Sequence, residues 1–206
     1  MIAYLLLGAT YAFAAAAQPG PFQTFLISRA VSHGWRRTLP AALAPLLSDG
    51  PIIVLALLVL TQVPPGFEPA LRCAGGTFLL FLAWGAFGSW RRGREASTEG
   101  TGSSRKTVLS AALVNLLNPN PYLGWSLVLG PLLLKGWRET PANGLALVLG
   151  FYVTMILVTA GIIILFGAAR NLGPRICRAL VGASAIALLG FACYELWTGA
   201  RGLLLG

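Results

Sequence analysis

Charge is what this sequence has least of. Only 10% of its 206 residues are Asp, Glu, Lys or Arg, against about 25% in an ordinary soluble domain, and a soluble globule cannot cover itself with so few. The scarcity is uneven as well. No charged residue occurs in 1–28, 73–90, 107–134, 140–169 or 179–194, and 38–67 holds Asp49 alone. His33 is the one histidine, and Cys73, Cys177 and Cys193 have no metal-ligand spacing, so the cysteines read as small apolar packing residues. These shortages exclude a cytosolic enzyme, a nucleic-acid module and a disulfide scaffold, and they give no ground to expect a metal or a cofactor.

What the chain has in place of charge is apolar length. Apolar residues make up 56% of it, and each uncharged run approaches or exceeds the roughly 18 to 20 residues that cross a bilayer. Six helical spans are expected, over 3–28, 38–63, 70–90, 107–134, 142–169 and 177–199. The first is read as uncleaved, because the N-terminus has no basic n-region and its apolar stretch continues past Ala17. The net charge of +9 reports topology and not a nucleic-acid partner, since cytoplasmic loops carry the excess of Lys and Arg. Loop one holds Arg29, Arg36 and Arg37; loop three holds Arg91, Arg92, Arg94, Arg105 and Lys106; loop five holds Arg170, Arg175 and Arg178. Arg72, Lys135, Arg138 and Arg201 fall on the other side. The expectation is loops one, three and five in the cytoplasm and both termini outside.

Loop three is rich in Gly, Ser, Thr and charge, the composition of a flexible linker. The chain is therefore expected to form one transmembrane domain over 1–206, with repeat one at 1–90, a linker at 91–106 and repeat two at 107–206. Three spans per half is an odd number, so structural repeats would have to be inverted relative to each other. The halves share their punctuation: Gln18-Pro19-Gly20-Pro21 interrupts span one and Asn118-Pro119-Asn120-Pro121 interrupts span four. The expected fold class is an all-α membrane protein of six transmembrane helices, arranged as two inverted three-helix repeats with broken helices in spans one and four.

Proline removes a backbone donor and clashes with the carbonyl four residues back, so each motif frees peptide groups where an unpaired one costs several kcal/mol. Paired interruptions in corresponding spans point to a transporter site, because half-helix N-termini attract carboxylates and freed carbonyls attract cations. The alternative is two packed kinks. The candidate substrate-binding residues are Gln18, Pro19, Gly20, Pro21, Asn115, Asn118, Pro119, Asn120 and Pro121. Asp49, in PLLSDGP, lies about eleven residues from either end of its expected span. A carboxylate at that depth costs at least about 2.5 to 3.5 kcal/mol on insertion scales, no Lys or Arg is expected at matching depth, and desolvation disfavours the charged form, as a proton carrier requires. Asp49 is the proton-coupling candidate, with a cap on a helix broken at Gly50 as the structural alternative.

Glu195, beside Tyr194 and Trp197, is expected at the outer interface in reach of water, and His33 in a solvated loop. Gly75-Gly76, Gly85 with Gly88, and Gly182 with Gly190 suit close helix packing or a homodimer face, and sequence leaves both open.

The order of these elements resembles a known family. An early PGP, a loop with HGWRR, a span-two Asp followed by Gly, a GGTFLLFLAWGAF third span and NLLNPNPYLGW in span four are similar to the LysE/RhtB amino-acid exporters over the first two thirds of the chain. The resemblance implies a multi-pass inner (plasma) membrane protein, not an enzyme. Its implied activity is efflux of an amino acid or related small metabolite in exchange for protons, with that solute, protons and lipids as partners. Two positions depart from the family pattern. The usual NPK of span four is here Asn118-Pro119-Asn120, so a cationic contact is missing, which suits a substrate less dependent on carboxylate charge or one itself cationic. Ala44-Pro45 stands where glycines often precede the Asp. A small-solute channel with paired half-helices is the nearest rival. A membrane thiol-disulfide electron carrier is disfavoured because neither span one nor span four has a cysteine, and a hydrolase because no nucleophile and base share a depth.

Overall fold

A computed structural model describes residues 1–18, 20–59, 67–92, 103–169 and 173–205. Pro19, Arg94, Arg170 and residues 93–102 of the expected linker lie outside the described residues. The described elements are all helical: α1 (Ile2–Ala17), α2 (Pro21–His33), α3 (Trp35–Thr38), a 3-10 turn (Leu39–Leu43), α4 (Ala44–Val59), α5 (Phe67–Arg92), α6 (Ser104–Leu116), α7 (Pro119–Gly124), a π-helical turn (Trp125–Leu129), α8 (Gly130–Glu139), α9 (Pro141–Ala168) and α10 (Pro174–Leu205). Among the described residues four stretches are long and apolar enough to cross a membrane: Trp35–Leu55, Pro69–Gly88, Pro141–Ala168 and Pro174–Leu204. A fifth is made if α1 and α2, inclined at 65°, count as one bent span.

Proline sets where these helices begin. Pro21, Pro119, Pro141 and Pro174 each open an element, a position where the missing N–H would have been unsatisfied anyway and where the fixed φ already suits the helix. The stop after α2 is Gly34 at φ 85, a left-handed conformation that glycine adopts without steric cost.

Two antiparallel pairs hold the bundle, α1 with α9 and α5 with α10. Both depend on glycine, because helices without a hydrophobic drive between them gain most by close backbone approach. A Cβ on Gly8 would run into the Leu147 carbonyl, and one on Gly150 into the Leu5 carbonyl, so each helix presents a gap to the other's backbone. Along α5 and α10, Gly76 faces Ala192 and Leu196, Gly182 faces Trp90, and Gly199 faces Cys73 and Pro69. Gly75 abuts the Leu117 carbonyl at the end of α6. These glycines serve packing within the chain, whereas a Cβ on Gly85 or Gly190 would meet nothing within 4 Å. One buried cluster, including Phe22, Phe25, Leu26, Leu82, Ile163 and Leu188, joins α2, α5, α9 and α10. A smaller one of Ala12, Ile52, Trp125, Leu129 and Phe151 ties α1, α4, the π turn and α9.

Two local expectations need correction. α4 runs without interruption from Ala44 to Val59 with Pro51 inside it, so Asp49 does not cap a break at Gly50. His33 is the last residue of α2 and half-buried, because the turn waits for Gly34.

Candidate functional site

Each proline motif separates two helices and exposes the carbonyls that end the first of them. At both ends a side chain reaches back from the helix that follows and bonds some of these carbonyls. At the first junction Gln23 Nε2 donates to the carbonyls of Ala15 at 3.3 Å and Ala16 at 3.2 Å. At the second, the Tyr122 hydroxyl donates to the Leu116 carbonyl at 2.9 Å. The two starts differ. Asn118 caps α7, its Oδ1 accepting the Asn120 N–H at 3.0 Å, and Pro119 and Pro121 have no N–H to offer. The first turn of α7 is thereby left without an open backbone donor for a ligand, contrary to the expectation that both half-helix N-termini attract carboxylates. At α2 only Pro21 lacks the donor; Gly20 is extended and no side chain caps the turn, so the polar end of α2 stays open.

A cavity of about 130 Å³ lies against both junctions. Among the sequence candidates, Gln18, Gly20, Asn115, Asn118, Asn120 and Pro121 line it, together with Asp49. Pro119 is buried and does not line it, and Pro21 faces a second void of about 10 Å³. The rest of the wall includes four aromatic rings, Tyr11, Phe22, Trp125 and Phe151, with Gln23 and small or aliphatic residues between them. Trp125 meets Phe151 edge-on with ring centroids 5.3 Å apart, one of the arrangements aromatic pairs prefer. Among the described residues no Lys or Arg is part of the wall, and Asp49 is the one formally charged group facing the cavity.

Asp49 is 2% exposed and its neighbourhood is made of neutral donors. The Asn115 amide nitrogen donates to Asp49 Oδ1 at 2.8 Å and to Ser48 Oγ at 2.7 Å, which uses both of its hydrogens. Ser48 passes its own proton to the Ala44 carbonyl at 3.2 Å. The polar ends of Trp125 and Tyr152 turn toward the same carboxyl group. Trp125 opens the π-helical turn, a rare geometry found often at functional sites.

Sequence reading missed Gln23, Tyr122, Trp125 and Tyr152. Gln23 and Tyr122 carried a signal, since each is a polar side chain just beyond a proline break where freed carbonyls need donors. Nothing local marks Trp125 or Tyr152. Glu195 is a correction: it is 8% exposed and pairs with Arg72, Nη1 to Oε2, at 3.0 Å. Its partner lies 123 residues away on the neighbouring helix, which hydropathy does not disclose.

Residues 13–199 match the LysE type translocator family. The chain belongs to that family. LysE type translocators are transporters, and this member's apolar helices make it a multi-pass membrane protein. It is similar to the Bacillus subtilis (strain 168) protein named "Putative amino-acid transporter YisU", with 34% identity over 101 residues, a stretch that spans 48% of this chain and 45% of that relative. No solved structure matches.

Proposed function

We propose that this LysE-type protein is a secondary transporter that exports an amino acid or related small metabolite across the inner membrane in exchange for protons. The observation that carries the proposal is the cavity itself, which brings the open N-terminal end of α2 and the carboxyl group of Asp49 into one wall. Opposite poles in a small cavity suit a zwitterion: the α2 terminus favours a carboxylate, and Asp49 with the side-chain carbonyls of Gln18, Asn118 and Asn120 favours an ammonium group. With no Lys or Arg among the described residues of the wall, the ammonium end is the more strongly recognised one.

Within this reading α1 with α2, and α6 with α7 and α8, are each one membrane span broken at its proline motif, and the halves 1–90 and 107–206 are inverted repeats on either side of a linker at 91–106. The matching back-reaches of Gln23 and Tyr122 support that kinship. Gln18, Pro19, Gly20, Pro21, Asn115, Asn118, Pro119, Asn120 and Pro121 form the substrate site, and Asp49 couples it to protons. Both termini are outside.

The test is flux in proteoliposomes holding the purified protein, over a panel of amino acids, with and without an imposed pH gradient. Accumulation of one or more amino acids against their gradient, dependent on the pH difference, is the expected result. Solute flux that never exceeds equilibration under any gradient would favour a channel.

A further inference from the structure

Glu195 and Arg72 stand outside the site, yet they connect to it. Glu195 lines the void of about 10 Å³ whose other walls include Pro21, at the start of α2, and Asn118, the cap of α7. Asn118 also lines the large cavity, so it stands between the two spaces. The smaller has room for about one water. Its wall Glu195 carries the ion pair with Arg72, whose side chains keep 15% and 11% exposure. Cavity, Asn118, small void and ion pair are thus neighbours in that order, at the end of the α5–α10 pair away from Arg91 and Arg178.

An ion pair here needs a reason, because desolvating two charges offsets most of their attraction and an apolar pair would be as stable. What an ion pair has and an apolar contact lacks is a second favourable state, both charges returned to water. We infer that Arg72 and Glu195 form the gate that closes the cavity toward the α5 N-terminal side, and that the pair separates when the site opens there. This rests on the transporter reading, since a gate presupposes two access states.

The gate is tested without any transport assay, so its failure is distinct from failure of that reading. Leu79 lines the small void and is 4% exposed. In full-length protein lacking native cysteines, Leu79→Cys should react slowly with a membrane-impermeant maleimide applied from the Arg72 side. Adding Glu195→Gln should speed that reaction about tenfold, the change expected when a minor open state becomes the main one. The exchanged pair Arg72→Glu with Glu195→Arg should restore slow labelling. An unchanged rate in folded Glu195→Gln protein overturns the gate and leaves the pair a clamp between α5 and α10. If Glu195→Gln does not insert, the shorter pair Arg72→Lys with Glu195→Asp takes its place and should give an intermediate rate. Loss of folding in all three variants equally assigns the pair to structure alone.

Discussion

Asn115 on α6 donates a 2.8 Å hydrogen bond to Asp49 on α4, so a residue just ahead of the second proline break holds the buried acid of α4. The same amide also holds Ser48. The contact joins the two halves of the chain at the wall of the cavity, and a change at either residue is felt by both.

Asn115→Ala leaves Asp49 and Ser48 each short of a donor at a buried position. Stability should fall by about 1 to 3 kcal/mol, the usual cost of an unsatisfied buried group, and substrate affinity should fall with it. Thermal unfolding in detergent and equilibrium substrate binding measure the two effects. Asn115→Ala protein as stable as wild type would mean that water replaces the amide.

Asp49→Asn mimics the protonated acid while keeping a hydrogen-bonding side chain. The variant should bind substrate and catalyse exchange but lose accumulation driven by a pH gradient, its flux falling to the gradient-free rate. Paired proteoliposome assays with and without the gradient decide the matter. Wild-type accumulation by Asp49→Asn would remove Asp49 from coupling.

Gly8→Val and Gly150→Val should each destabilise the protein by at least about 1 to 3 kcal/mol, as overpacking does, because the added carbons meet backbone carbonyls of the partner helix. Gly161→Ala, on the same α9 but with nothing within 4 Å of the new Cβ, should be neutral or stabilise by up to about 1 kcal/mol through the better helix propensity of Ala. Melting temperatures of the three variants test the pairing of α1 with α9.

The orientation inferred from the basic loops places Ser103 inside and Thr140 outside. In a background without native cysteines, an impermeant thiol reagent on intact cells should label Thr140→Cys and spare Ser103→Cys until the cells are opened. The reverse pattern would invert the protein.

The membrane class, the helical make-up and the places where helices start were legible in the sequence, because they follow from local chemistry, whereas the structure shows four or five candidate spans among the described residues where six were expected. Uncharged length is a property of a run of residues, and proline acts on its own backbone and the carbonyl four back. The inward position of Asp49 was legible for the same reason, since a lone carboxylate in an apolar run is costly wherever the run packs. What each group touches was decided only by the tertiary structure. The sequence offered Asp49 no basic partner, and packing supplied the Asn115 amide from α6. Hydropathy placed Glu195 in water, and the close fit of α5 on α10 at Gly76 and Gly199 brought Arg72 to it. The α7 motif promised an open helix end, and Asn118 folding back onto Asn120 closed it. Such pairings depend on which helices lie side by side and at what rotation, and a linear pattern of apolar residues that faces lipid and protein alike carries little of that information.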